Sequence, residues 1–227
     1  MEIIMLAGGM GTRLRNVVSN VPKPMAPIGN KPFLEFLLQW VALYKVNSVI
    51  LSTGYKAEMI SNHFGDSYNN IPLIYAHEDE PLGTGGAILN ALKYSKENNL
   101  VIINADTYFP VNLDELLNFH KSAKANLTIA LKYMEKFDRY GTVDLDGDTI
   151  VSFNEKRYCE QGMINAGIYV VNKEFLLEKG LPAKFSFEKE VLEKEAGTKK
   201  LKGAVFAETF IDIGIPDDYN KAIELLT

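Results

Sequence analysis

Apolar and polar positions follow two rhythms along this chain. Residues 2–7, 71–76 and 100–105 are short, mostly apolar runs and 48–53 has an apolar, mainly β-branched centre at Val49-Ile50-Leu51; all four read as strands, the first apolar enough to be buried and parallel. Between them, residues 32–45, 56–64, 84–95 and 112–124 carry apolar side chains three and four apart, the spacing of amphipathic helices. In the first of these, Phe33, Phe36, Leu37, Trp40, Leu43 and Tyr44 share one face and are expected in the core. Strands alternating with helices predict a doubly wound sheet.

The rhythm changes after residue 125. TIALKYM, YGTVDL, TIVSFNE and NAGIYVV read as successive strands, with Asp146-Gly147-Asp148 as a hairpin turn. A final helix is predicted over Pro216–Leu226, with Pro at its start and Asp217 and Asp218 in its first turn, where the helix dipole favours them. The expected fold class is α/β: a doubly wound mixed, mainly parallel sheet with a small antiparallel extension. One domain is expected over 1–227, divided near residue 125 into two functional halves, with no internal repeat, low-complexity tract or long linker.

Composition narrows the class. A chain of 227 residues with 47% hydrophobic content can bury about 70% of its unfolded surface in one core. The single cysteine, Cys159, excludes an internal disulfide framework. There is no apolar run of membrane-spanning length and no signal-like segment at the start, so a cytoplasmic protein with no membrane partner is expected. A net charge of −5 argues against a nucleic-acid partner, which calls for a broad basic surface.

Positive charge is instead concentrated near the start. In MEIIMLAGGMGTRLRNVVSNVPKPM, Arg13, Arg15 and Lys23 against Glu2 give 3 − 1 = +2. The first strand runs directly into Gly8, Gly9 and Gly11, which let the backbone turn and present N–H groups to an anion. Arg13 and Lys23 add charge to that cradle. A Walker loop requires Gly-Lys-Ser/Thr, whereas Thr12 and Arg13 follow Gly11 here. A dinucleotide fingerprint requires a third glycine where Leu14 stands.

The segments Leu6–Leu14 and Pro22–Met25 closely resemble L-A-G-G-x-G-T-R-L and P-K-P-M of the sugar-1-phosphate nucleotidyltransferases. Further matches follow in the family's order: Glu78 with Gly83–Ala87, Asp106 after LVIINA, Tyr140-Gly141, Glu155-Lys156, Asn165-Ala166-Gly167-Ile168-Tyr169, and Phe210-Ile211-Asp212-Ile213-Gly214-Ile215-Pro216. The resemblance spans nearly the whole chain and implies a Rossmann-like nucleotidyltransferase core. Its nucleotide-binding half would cover about 1–125 and its sugar-phosphate-binding half about 126–227.

By that resemblance, Leu6, Ala7, Gly8, Gly9, Gly11, Thr12, Arg13, Glu78, Gly83 and Thr84 would bind the nucleotide. Gly141, Glu155, Lys156 and Asn165 would bind the sugar phosphate, and Arg13 and Lys23 would act in catalysis. Asp106 and Asp212 would hold Mg²⁺, completed by phosphate oxygens and water. Asn104-Ala105-Asp106 stands where glycosyltransferases of similar architecture often carry Asp-x-Asp, which favours nucleotidyl transfer. Arg157 replaces a proline common in relatives, and either an acceptor contact or a solvent-facing role is open to it.

The chemistry of Glu78 selects a base. An ionised carboxylate only accepts hydrogen bonds, and guanine offers two adjacent donors, whereas uracil and thymine present one donor flanked by acceptors. GTP is therefore favoured over UTP or dTTP. EPLGTGGAI and FIDIGIPDDY are similar to the guanylyl-transferring branch, which implies heptose 1-phosphate as the sugar 1-phosphate, with mannose 1-phosphate next and uridylyl transfer to an amino-sugar phosphate third. The expected reaction is in-line attack of the sugar phosphate on the α-phosphorus, with pyrophosphate leaving. A nucleotide-sugar-sensing module without turnover is the alternative from another class, and it would not need Arg13, Lys23, Asp106 and Asp212. Histidines 63, 77 and 120 show no metal-ligand spacing. Aromatics in 125–210 leave a homodimer contact and internal packing equally open.

Overall fold

The computed structural model describes residues 1–9, 14, 18 and 20–227. A ten-stranded twisted sheet runs through the described molecule. In chain order its strands are β1 (Glu2–Leu6), β4 (Ser48–Thr53), β5 (Ser67–Tyr68), β6 (Ile71–His77), β7 (Asn99–Asn104), β9 (Leu127–Phe137), β10 (Thr142–Asp146), β11 (Thr149–Phe153), β12 (Cys159–Asn172) and β13 (Leu201–Phe206). Two small ribbons complete the strands: β2 (Pro27–Ile28) pairs with β3 (Lys31–Pro32), and β8 (Thr107–Tyr108) with β14 (Ile211–Asp212).

The order across the sheet is β10-β11-β13-β9-β12-β7-β1-β4-β6-β5. β7, β1, β4 and β6 are parallel. β12 then turns the sheet antiparallel against β7 and β9. The expected mixed, doubly wound sheet is present, and its antiparallel extension is continuous with the parallel core.

The central strands alternate between two cores because successive side chains point to opposite faces. Ile3, Met5, Val49, Leu51, Val101 and Ile103 enter one core. There they meet Phe33, Leu34 and Leu37 of α1 (Phe33–Val41), Ile60 and Phe64 of α2 (Ala57–Phe64), Leu113 and Leu116 of α4 (Leu113–Ser122), and Tyr219 and Ala222 of α7 (Pro216–Leu226). Ile4, Ile50, Leu100 and Ile102 enter the other, against Ile88, Ala91 and Leu92 of α3 (Gly83–Leu92), Leu176 of α5 (Lys173–Glu178), and Phe185, Phe187, Val191 and Leu192. Val191 and Leu192 lie in a π-helical turn, Glu188–Leu192, that Phe187 precedes and that continues into α6 (Glu193–Glu195).

One core expectation fails. α1 ends at Val41, and the chain turns through Leu43, whose N–H bonds to the Trp40 carbonyl, so Leu43 faces solvent at 81% exposure. The three-and-four spacing persists in the sequence beyond the point where the helix stops. By contrast, β4 and α7 have the predicted bounds.

Two buried polar side chains, Glu2 and His120, are paired within the fold, whereas Trp40 Nε1 and Glu208 Oε2 are buried without a partner among the described residues. Glu2 accepts hydrogen bonds from Ser48, Ser95 and the Lys96 and Glu97 N–H groups. Burial acts to raise its carboxyl pKa, but these donors outweigh it and lower it. His120 lies against Thr128 (2.8 Å) and Asn99 (3.3 Å), an internal bridge between α4 and the sheet.

Candidate active site

The parallel strands end together, and their carboxyl ends form the floor of a cleft of about 810 Å³. β1 lies where the chain, having built β4 and β6 on one side, crosses to β7 on the other. In open α/β sheets this reversal is where ligands bind. The strand ends are locked to one another: the Ala7 N–H bonds to the Ser52 carbonyl, Ala105 N–H to Leu6, and Glu78 N–H to Thr53.

At the β1 end of the floor, Gly8 abuts Glu78. A Cβ on Gly8 would stand 3.1 Å from Glu78 Oε1, so the glycine keeps the carboxylate close to the cradle. The Ser52 hydroxyl donates to Glu78 Oε1 at 2.8 Å and the Leu82 N–H to Oε2 at 3.2 Å. Each carboxylate oxygen retains acceptor capacity toward a ligand. Leu6, Gly8, Gly9, Glu78, Gly83 and Thr84 all line the cleft. Ala7 is fully buried beneath it. Gly11, Thr12 and Arg13 lie outside the described residues.

The glycines that open α3 have an immediate packing role. A Cβ at Gly85 would fall 2.1 Å from the Phe185 ring, and one at Gly86 would fall 2.2 Å from the Ala183 carbonyl oxygen. Their small size lets residues 183–188 close over the start of α3. Thr84 then donates to Glu188 Oε2 at 2.8 Å and accepts from the Phe187 N–H at 3.0 Å.

Asp106 and Asp212 are distant in sequence and meet through the β8–β14 ribbon, in which Asp212 pairs with Thr107 and the Ile213 N–H bonds to the Asp106 carbonyl. Lys23, held in a short 3-10 turn over Lys23–Met25, reaches both. Its Nζ lies 2.7 Å from Asp106 Oδ2 and 3.6 Å from Asp212 Oδ1.

Asp212 is positioned by three further groups. The Gly214 N–H donates to Oδ1 at 2.7 Å, the Tyr140 hydroxyl donates to Oδ2 at 3.3 Å, and Arg139 stands 3.6 Å away while also bridging to Asp218 of α7. A Cβ on Gly214 would press on Asp212 Oδ1 at 2.8 Å. Burial and the neighbouring Asp212 charge raise the Tyr140 pKa and keep its hydroxyl a donor.

The fit of this pair to a divalent cation is direct. Two carboxylates converge on one ammonium, which stands in for a cation, and their oxygens are the hard donors that such ions take. Among the described residues no group of three or more His, Cys, Asp or Glu side chains forms a self-sufficient metal cage. Phosphate oxygens and water would complete the shell.

On the far wall, the Asn165 amide donates to the Tyr169 hydroxyl at 3.1 Å, and its carbonyl accepts from the Gly167 N–H at 3.0 Å. A bulge in β12 between Asn165 and Tyr169 turns these side chains toward the cleft. Lys156 lines the cleft from the loop after β11. Glu155 is exposed beside it, and Gly141 packs under the Asn154 carbonyl, where a Cβ would sit only 2.4 Å away; neither is among the cleft-lining residues. Arg157 is exposed. Arg139, Glu188 and Ser52 line the cleft without having been singled out in the sequence. Adjacency to Tyr140-Gly141 was the one available signal for Arg139.

A glycine-cradled cleft at the strand ends, with paired carboxylates and a lysine at its centre, defines an enzyme class that handles phosphorylated ligands with a divalent cation. The chain belongs to the nucleotidyl transferase family, whose profile matches residues 2–227. It is 52% identical over 222 residues to the D-glycero-alpha-D-manno-heptose 1-phosphate guanylyltransferase of Aneurinibacillus thermoaerophilus, covering 98% of this chain and 96% of that one. It is 44% identical to the protein of the same name from Campylobacter jejuni, covering 96% and 97%. Among solved structures it resembles HddC from Yersinia pseudotuberculosis, also determined in complex with GMP-PN, at 38% identity and a TM-score of 0.89, covering 100% of this chain and 99% of that one. No helix among the described residues is long and apolar enough to cross a membrane.

Proposed function

We propose that this protein transfers GMP from GTP to D-glycero-α-D-manno-heptose 1-phosphate, giving GDP-heptose and pyrophosphate. The observation that carries the reading is Glu78. It is fixed by Ser52 and Leu82 at the β1 end of the cleft, and its carboxylate can accept from the two adjacent donors of guanine. Full-length likeness to two proteins named for this reaction supports the acceptor.

The acceptor is itself an anionic nucleophile, so the protein's work is positioning and charge neutralisation. The Gly8 and Gly9 backbone cradles the triphosphate; Gly11, Thr12 and Arg13, outside the described residues, are assigned to the same nucleotide by the family motif alone. Lys23 neutralises charge developing at the α-phosphorus. Lys156 holds the sugar phosphate and Asn165 a sugar hydroxyl. Asp106 and Asp212 would hold Mg²⁺, which supplies charge neutralisation at phosphate oxygens when bound. The chain's own preparation for that ion is the triple restraint on Asp212 by Gly214, Tyr140 and Arg139.

Pyrophosphate release measured across GTP, UTP, CTP, ATP and dTTP against heptose, mannose, glucose and N-acetyl amino-sugar 1-phosphates tests the reading. Preferred turnover with GTP and the heptose phosphate is expected. Mannose 1-phosphate as the better acceptor would overturn the sugar assignment, and preference for UTP would overturn the role of Glu78.

A further inference from the structure

Glu188 is a carboxylate in a cleft that must take up two anionic ligands. Its Oε2 accepts from Thr84 Oγ1 at 2.8 Å and from Ser186 Oγ at 2.9 Å, which fixes the head group. The turn that carries it is anchored by fully buried Phe187, Val191 and Leu192. Among the described residues, Oε1 has no hydrogen-bond donor and no cation lies within ion-pair distance of the side chain. Asp106 and Asp212, the other carboxylates at the centre, both face Lys23.

The charge pattern assigns the two ends of the acceptor. A carboxylate without a cation repels phosphate and suits hydroxyl donors. Its hydrogen-bond partners, Thr84 and Ser186, are neutral, and so are Tyr169, which feels its charge and that of Asp106, and Asn165, which donates to Tyr169 in the same cleft. The phosphate belongs beside Lys23 and Lys156, and the hydroxyls farthest from it belong beside Glu188.

We propose that Glu188 is a specificity-determining residue, whose free carboxylate oxygen accepts from acceptor hydroxyls remote from the anomeric phosphate, at C4 or on the exocyclic chain. This rests on the transfer reaction proposed above. A charge-assisted hydrogen bond of this kind separates acceptors that carry the hydroxyl from those that lack it by about 10- to 100-fold.

The test uses Glu188→Ala and Glu188→Gln in the full chain, after wild-type turnover has identified the preferred sugar phosphate, so that a wrong acceptor is recognised before the variants are judged. Steady-state constants are measured with GTP, with that acceptor, and with its 2-deoxy, 4-deoxy and terminal-deoxy analogues. If wild-type turnover is too slow, calorimetric affinity for the same sugar phosphates replaces it. The alanine variant is expected to raise the acceptor KM about 10- to 100-fold while the GTP KM stays within twofold. It should lose discrimination against the 4-deoxy or terminal-deoxy analogue and keep it against the 2-deoxy analogue. Glutamine, which preserves shape and one neutral acceptor, should fall between, which separates the hydrogen bond from a folding defect. A parallel rise in GTP KM, or an equal loss on every analogue, would overturn the proposal.

Discussion

Lys23 stands between two carboxylates that approach each other from different parts of the chain, 2.7 Å from Asp106 and 3.6 Å from Asp212. The lysine side chain is only 12% exposed, so the ammonium is aimed into the cleft and held there. A cation fixed before substrate arrives needs little reorganisation when charge develops at phosphorus.

Lys23→Ala should therefore lower kcat far more than it weakens GTP binding, by about 100-fold or more against a few-fold change in affinity. Single-turnover rates combined with equilibrium GTP titration separate the two. Equal losses in both would show that Lys23 serves ground-state binding.

Glu78→Gln replaces an acceptor-only group by one that both donates and accepts. The preference for GTP over UTP should fall by about 10-fold or more, as expected when a charged hydrogen bond to one base is lost and an amide suited to the other is gained. Competition between the two nucleotides at fixed acceptor reads the ratio. An unchanged ratio would place the base elsewhere.

The interior carries its own pH dependence through His120. Burial, with a smaller contribution from Lys121, pushes its pKa down from 6.5 to about 4. The folded protein thus keeps the ring neutral where the unfolded chain takes up a proton. The resulting stability is present above pH 6.5 and is lost as pH falls from there toward 4. Urea denaturation should show about 2 kcal/mol lost between pH 7 and pH 5 from this group. His120→Gln should flatten that slope, and parallel slopes for variant and wild type would refute it.

Gly86→Ala tests the closure of residues 183–188 over α3. The added methyl would meet the Ala183 carbonyl oxygen at 2.2 Å and Leu82 Cβ at 2.8 Å, backbone and near-backbone atoms with little room to give. A loss of about 1–3 kcal/mol in denaturant unfolding is expected. Because Thr84 and Glu188 meet across this contact, the acceptor KM should rise as well.

Much of the frame was legible because periodicity reports local burial. β4 is buried at all six positions around its apolar centre Val49-Ile50-Leu51, and α7 opens with the Pro-Asp-Asp that its N-terminus calls for. β13 escaped because Lys202 and Gly203 interrupt LKGAVF, and its place between β11 and β9 is set by partners far away in sequence. The helical segment from 188 to 195 escaped for a related reason: its apolar residues face a core built by α3 and the sheet. Within the site, Asp106 and Asp212 were visible through their flanking motifs. Glu188 was not, because its meaning depends on Thr84, 104 residues earlier, and on glycines that allow the two to touch. Arg139 likewise acquires its role only when α7 brings Asp218 to it.

The shared strand β12 carries one last consequence. Its later residues pair with β7, one of the parallel strands whose ends form the cleft floor, and its earlier residues pair with β10 and β9 toward the wall that carries Asn165. On the reading proposed above, the molecule is a bench, with both reactants laid on a single continuous plank. A jaw would gain alignment by swinging shut. On that reading the relative placement of the two reactants follows from the pairing of one strand with both neighbours.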